Sequence, residues 1–60
     1  MKKIFFVCVI AEKNSEEEIA VPADYVLAND AFSALAVASK RIKDKYFDEK
    51  WDLRPVIHQM

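Results

Sequence analysis

The chain opens with an apolar run that has charged residues on both sides. Residues 4–11 read IFFVCVIA and lie between Lys3 and Glu12. Most of these side chains are β-branched or aromatic, which are enriched in strands, and a short apolar run of this kind is typical of a buried strand. Because side chains alternate along a strand, both faces of this one are apolar. Ile4, Phe6, Cys8 and Ile10 share one face, and Phe5, Val7, Val9 and Ala11 share the other.

A second strand is predicted beyond a polar turn. Residues 12–16 contain side chains that favour turns. An extended pattern then runs through Ile19 and Val21 and resumes at Tyr25, after Pro22. Proline cannot donate to the hydrogen bonds of a sheet, so it belongs at an edge or a bulge. We therefore expect a hairpin whose second strand is an edge strand.

A helix is predicted from Asn29-Asp30 onward, because both residues are good caps and the apolar period changes there to 3.6 residues. Its predicted apolar stripe contains Ala31, Leu35, Ala38, Ile42 and Tyr46, with Phe32 and Ser39 beside it. Residues 51–58 alternate weakly and predict a third strand, in which Pro55 again indicates an edge.

Together these elements predict an α+β fold with the order β-β-α-β in a single domain, residues 1–60. A right-handed crossover through the helix leaves the first strand between the other two, which gives a three-stranded antiparallel sheet of order 2-1-3. One helix covers only one face of this sheet. We expect a second copy of the chain or another protein to cover the second face, with Phe5, Val7 and Val9 as the candidate dimer or partner face. The alternative is that loops and the last strand curl over it.

The composition excludes several chemistries. One cysteine precludes an internal disulfide, and one histidine with one cysteine cannot build a four-ligand zinc site. The absence of glycine argues against phosphate-binding loops. The only histidine, His58, lies near the C-terminus, where chains usually fray. We therefore predict that the protein is not an enzyme and holds no cofactor or metal, and we assign no role to Cys8 or His58.

The opening run also has the layout of a short secretion signal, with Lys2 and Lys3 before the apolar stretch. Signals have about 15 to 30 residues and membrane-spanning helices about 20 apolar ones, so this run is too short for either. We expect a cytoplasmic protein without membrane association. A periplasmic or membrane-associated peptide with a cleaved start is the alternative.

Charge is balanced overall but separated along the chain. Nine basic and ten acidic residues give a net charge of −1, so no global attraction to nucleic acid is expected. Three glutamates near the turn, and three residues of types common at interaction hot spots, form the predicted partner-binding set: Glu16, Glu17, Glu18, Tyr25, Trp51 and Arg54. The acidic hairpin is alternatively a solvated edge that discourages strand-to-strand aggregation.

A nucleic-acid-binding module is the alternative function. It would use the basic end of the helix, with aromatic side chains as stacking groups for bases. The candidate cations are Lys40, Arg41, Lys43 and Lys45, and the candidate stacking groups are Tyr46, Phe47 and Trp51.

The layout resembles the short bacteriophage proteins that inhibit bacterial RNA polymerase by docking on its jaw, a family with a β-β-α-β fold. The shared features are Lys2-Lys3 before an aromatic-rich strand, Val21-Pro22, an alanine-rich helix that opens at Asp30, and Arg54-Pro55-Val56 in the last strand. The chain departs from the family in two ways. The family has an acidic residue just before Val-Pro, where this chain has Ala20, and the first strand of this chain is more apolar. Small anti-CRISPR proteins are similar at the same coarse level.

The resemblance implies a function and a set of contacts. In the polymerase inhibitors, acidic residues in or near the second strand and an arginine before the proline contact the polymerase. These positions correspond to Glu16–Glu18 and Arg54. We therefore expect a phage-type protein that binds and inhibits a host protein machine, either RNA polymerase or a CRISPR or other defence complex.

Overall fold

The computed structural model describes all 60 residues as three strands and two helices. They are β1 (Lys3–Lys13), β2 (Glu16–Ala28), α1 (Ala31–Ser39), α2 (Asp44–Asp48) and β3 (Asp52–Gln59). The sheet order is β2-β1-β3, and β1 is antiparallel to both neighbours. The predicted α+β class and sheet order are confirmed.

A two-residue turn joins β1 to β2. Asn14 and Ser15 have φ angles of 51° and 66°, and positive φ at both central residues is what a tight type I′ hairpin turn requires. Asparagine tolerates this left-handed region better than most residues other than glycine. The turn sets the register, which pairs Lys13 with Glu16 and continues to Lys3 and Ala28 at the far end.

Both edges of the sheet carry a proline. Between the pairs Val7–Asp24 and Ile10–Ile19, β1 advances by three residues and β2 by five, so β2 bulges around Pro22. On β3, the backbone N–H of Met60 donates to the carbonyl of Ile4 at 2.9 Å. Because alternate residues of an antiparallel strand bond to its neighbour, the nitrogen of Pro55 faces away from β1. Neither edge presents an uninterrupted row of backbone donors.

The core lies between the sheet and the two helices. From β1 it contains Phe5, Val7, Val9 and Ala11, which are at most 2 % exposed. Ala34 and Ala38 of α1 are fully buried against them, and Tyr46 of α2 closes one end. Alanine at these two helix positions lets α1 approach the sheet closely.

The prediction of one continuous helix is wrong. α1 ends at Ser39, and residues 40–43 turn the chain before α2 begins. Ala31 and Phe32 are exposed at the start of α1, and Phe32 is 81 % exposed. The buried stripe of α1 starts instead at Ala34. The alanines of the helix, rather than its larger side chains, make the close contact with the sheet and set which side of the helix faces it. The break allows Tyr46 to turn back onto the core.

The prediction that Phe5, Val7 and Val9 form a dimer or partner face is also wrong. These side chains lie beneath the helices, and the second apolar face of β1 is the uncovered one. Both faces are apolar, so the alternation alone does not determine which one receives the helix. β3 lies beside β1 and does not curl over the uncovered face.

Neither helix, at nine and five residues, has the length or hydropathy that crossing a membrane requires.

Candidate protein-binding face

The side of the sheet away from the helices is an apolar surface, which we call the open sheet face. The strand register brings together on it Ile4, Phe6, Cys8 and Ile10 of β1, Ile19, Tyr25 and Leu27 of β2, and Arg54, Val56 and His58 of β3. The exposed fractions of four of these side chains are 49 % for Ile4, 58 % for Ile19, 61 % for Tyr25 and 62 % for Leu27. Large apolar side chains that are contiguous and exposed indicate an interaction surface.

An aromatic row crosses the middle of the open sheet face, with one ring from each strand. The Phe6 and Tyr25 rings meet edge to face, with centroids 5.9 Å apart and an interplanar angle of 68°. The ring of His58 lies on the other side of Phe6, at 6.5 Å. The edge-to-face contact between Phe6 and Tyr25 is one of the favoured arrangements of aromatic pairs. The row packs three rings side by side across the sheet and gives His58 a packing contact.

One end of the open sheet face is charged, and we call it the acidic end. Glu12 of β1 is paired in register with Glu17 on β2 and with Asp52 on β3. Arg54 lies beside them, and its Nη2 is 3.3 Å from Oε2 of Glu17. Three carboxylates therefore lie at this end, and its one ion pair joins Glu17 to Arg54. Like charges directly opposite each other are destabilising, so this end favours contact with a cationic surface.

Glu18 lies on the helix side of the sheet, away from Glu17. Its Oε1 accepts hydrogen bonds from Nζ of Lys45 at 3.2 Å and from the hydroxyl of Tyr46 at 3.0 Å. These two bonds, the one from Lys45 first, lower the pKa of Glu18. The same contact raises the pKa of Lys45, and burial together with the bond to Glu18 raises the pKa of Tyr46. Glu18 thus ties the hairpin to α2.

Trp51 also belongs to the helix side. Its ring packs edge-on against Tyr46, with centroids 5.6 Å apart, and its Nε1 donates to Glu49 at 2.8 Å. Glu16, next to the turn, shares the strand phase of Glu18. The predicted partner-binding set is therefore divided between two surfaces. Glu17, Tyr25 and Arg54 lie on the open sheet face, whereas Glu16, Glu18 and Trp51 do not.

The candidate nucleic-acid site is partly neutralised by ion pairs. Arg41 Nη1 lies 2.8 Å from Oδ2 of Asp24, and Lys45 pairs with Glu18. A hydrogen bond from the Tyr25 N–H, and then the one from Arg41, lower the pKa of Asp24. Tyr46 is only 5 % exposed, so the prediction that it can stack on bases is wrong. Lys40 and Lys43 make no ion pair, and Phe47 is 55 % exposed.

Sequence reasoning missed an apolar groove on the helix side, between the helices and β3. It has a volume of about 230 Å³ and is lined by Val9, Leu35, Ser39, Ile42, Phe47, Leu53 and Pro55. The groove exists because the chain turns between α1 and α2, and the prediction of a continuous helix left no place for it.

The exposed side chains of Ile4, Ile19 and Leu27 were also missed as candidate binding residues. Cross-strand pairing could have identified them. With the hairpin turn at residues 14 and 15, Leu27 pairs with Ile4 and Ile19 pairs with Ile10. Paired residues of neighbouring strands lie on the same face of a sheet, so Leu27 and Ile19 lie on the same face as Ile4 and Ile10.

Comparisons with protein-family models, with curated proteins and with solved structures found no match to this chain. The resemblance to small phage inhibitors stays a prediction.

Proposed function

We propose that this chain is a non-enzymatic protein-binding module and that the open sheet face is its binding surface. The observation that supports this most strongly is the exposure of Ile4, Ile19, Tyr25 and Leu27 as one patch on the sheet. Covering such a patch stabilises a complex by about 25 cal/mol for each Å² of apolar surface removed from water. A protein surface supplies the apolar cover that this requires.

The acidic end supplies the polar part of the proposed interface. Glu17 and Arg54 adjoin the apolar patch and are 58 % and 65 % exposed, so both are free to contact a partner. They are also among the residues to which the resemblance assigns contacts. More specifically, we propose that the protein is a phage-type inhibitor that acts in the cytoplasm and blocks a host protein machine by occupying one surface of that machine.

Nucleic acid is a poorer fit to the charges of the molecule. Binding to phosphates depends on unpaired cations, and two of the four candidate cations are paired with carboxylates. The acidic end also places net negative charge on the open sheet face. The ion pairs favour a protein partner over a nucleic acid.

Affinity capture from a bacterial lysate tests the proposal. The tagged wild-type protein is compared with Leu27→Glu, which places a charge in the patch, and with Phe32→Glu, which makes the same change at an exposed apolar residue of α1. We expect the wild type and Phe32→Glu to retain the same host protein after nuclease treatment, and Leu27→Glu to lose it. Recovery of nucleic acid alone would refute the proposal, and so would equal capture by Leu27→Glu.

Salt dependence provides a second readout of the same experiment. Complexes held by phosphate contacts weaken steeply between low and physiological salt, whereas an apolar interface does not. We expect the captured protein to remain bound at physiological salt.

A further inference from the structure

The central strand carries a self-complementary pattern on the open sheet face. The residues of β1 on this face are Ile4, Phe6, Cys8, Ile10 and Glu12. Lys2 precedes β1 and has the same sequence parity as these residues. A cation stands at one end, four apolar residues follow, and an anion stands at the other end. The four apolar residues are placed symmetrically about Val7, and the charges at the two ends have opposite signs.

Closed dimers require a patch of this type, because a two-fold axis brings each residue against a position of the same patch on the other copy. Consider an axis that crosses the strands at Val7, so that the strands of the two stacked sheets run in opposite directions. Ile4 then lies over Ile10 of the second copy, Phe6 over Cys8, and Lys2 over Glu12. Opposite charges meet at both ends of the interface.

The neighbouring strand extends the same match. Leu27 is paired with Ile4 and Ile19 with Ile10, so the same axis brings Leu27 over Ile19 of the second copy. These are two of the most exposed apolar side chains of the face. An axis along the strands would instead place the acidic end of one copy on that of the other. The charges therefore select the inverted arrangement.

The two edges of the sheet are poorly suited to pairing with a second chain, so the open sheet face is the surface available for self-association. β2 bulges at Pro22, and the nitrogen of Pro55 faces outward on β3, so neither edge supports a continuous ladder to another chain. The uncovered face carries no comparable obstacle, because its charged side chains lie toward its two ends and its middle is apolar. Two such faces stack with their strands within about 30° of each other.

The area available is close to what a dimer needs. The molecule is 40 Å long and 14 to 17 Å across. The flat area of the face is therefore about 600 Å², and the side chains that protrude from it add to its accessible surface. A stable complex buries roughly 800 Å² of accessible surface on each partner. The isolated chain exposes 4409 Å², about a tenth more than the roughly 4,000 Å² expected for a monomer of its mass.

We infer that a second copy of the chain covers the open sheet face of the free protein, as a face-to-face dimer with inverted strands. This inference rests on the proposed function, because it assigns the occupant of the same face before a partner binds. Partner binding then requires the dimer to separate, so self-association limits the concentration of the active form.

Sedimentation and light scattering over a range of protein concentrations test the dimer. We expect the wild type and Phe32→Glu to reach the dimer mass as concentration rises. Leu27→Glu is expected to weaken dimerisation by roughly tenfold or more. A wild type that is monomeric at every concentration would overturn the inference, as would a dimer that is insensitive to Leu27→Glu. A monomer that still captures the host protein would leave the proposed function standing.

Charge exchange tests the inverted arrangement. Lys2→Glu or Glu12→Lys alone places like charges against each other and is expected to weaken the dimer, whereas the double variant Lys2→Glu/Glu12→Lys is expected to restore it. Far-ultraviolet circular dichroism confirms that each variant is folded. Restoration supports the inverted pairing, and a double variant that is weaker than either single variant contradicts it.

Discussion

Glu17 and Arg54 lie on opposite edge strands and meet across β1, with Oε2 of Glu17 3.3 Å from Nη2 of Arg54. The contact crosses the whole width of the sheet on its open side. It marks the boundary between the apolar patch and the acidic end, and it joins an acidic and a basic residue that are far apart in sequence.

The Glu17–Arg54 pair is expected to contribute to binding more than to folding. Both side chains are more than half exposed, and exposed ion pairs contribute about 0 to 1 kcal/mol to stability. We predict that Arg54→Ala leaves the urea unfolding midpoint nearly unchanged but reduces capture of the host protein. Lys40→Ala, which removes an exposed cation from the helix side, is the matched control and is expected to change neither. Equal capture by Arg54→Ala and Lys40→Ala would contradict the prediction.

The close approach of α1 to the sheet depends on the small size of Ala34. Its side chain is fully buried, and enlarging a residue in a packed core typically costs about 1 to 3 kcal/mol. We predict that Ala34→Leu lowers the free energy of unfolding by this amount, measured by urea denaturation. Ala36→Leu makes the same change at an exposed position of the same helix, and its stability is expected to stay close to that of the wild type. Similar losses for the two variants would refute the packing described above.

The hydrogen bonds to Glu18 predict a dependence of stability on pH. They lower the pKa of Glu18 in the folded protein below its ordinary value of 4.5. The folded state therefore gains stability from this group at pH values above 4.5, and loses it as the pH falls through the folded-state pKa. We predict that the fall in unfolding free energy between pH 5 and pH 3 is smaller in Glu18→Gln than in the wild type.

Glu16→Gln is the matched control for the pH experiment, because it removes the same charge two residues away, at a position without an ion pair. Between pH 5 and pH 3, the unfolding free energy of Glu16→Gln is expected to fall by as much as that of the wild type. If Glu18→Gln loses as much stability in acid as Glu16→Gln does, the contacts of Glu18 with Lys45 and Tyr46 do not persist in solution.

The sheet was predictable because its signals are local and strong. Pro22 and Pro55 exclude both flanking strands from the centre, and the apolar run of residues 4–11 suits only the middle position. The polar turn fixes the hairpin, since Asn14 and Ser15 supply residues that favour turns.

The helical region was less predictable, because its geometry follows from packing rather than from periodicity. Ala31, Ala34 and Ala38 are indistinguishable by hydropathy, and only contact with the sheet selects the last two for burial. Tyr46 fits the stripe of a continuous helix, but its hydroxyl bonds to Glu18, which lies 28 residues earlier. No pattern near residue 46 indicates that partner.

The candidate site was predictable only in part for a related reason. Glu17, Tyr25 and Arg54 were named from residue type, but the face that they share depends on which apolar side of β1 the helix covers. Phe5 and Phe6 are adjacent and equally apolar, and the structure buries the first and leaves the second on the open side. Tertiary packing makes that choice.

Cys8 offers the most direct test of the claim that a protein partner occupies the open sheet face. It is the only cysteine, it is half-buried, and it lies between Phe6 and Ile10 on that face. The measurement is the rate of thiol alkylation in the captured complex, compared with that of the free protein diluted below its dimer concentration. A Cys8→Ala/Ala36→Cys variant reports in the same way on the exposed surface of α1.

We predict that Cys8 reacts much more slowly in the complex than in the free protein, and that the cysteine at position 36 reacts at the same rate in both. Equal rates for Cys8, with protection at position 36 instead, would contradict the account and place the partner on the helix side.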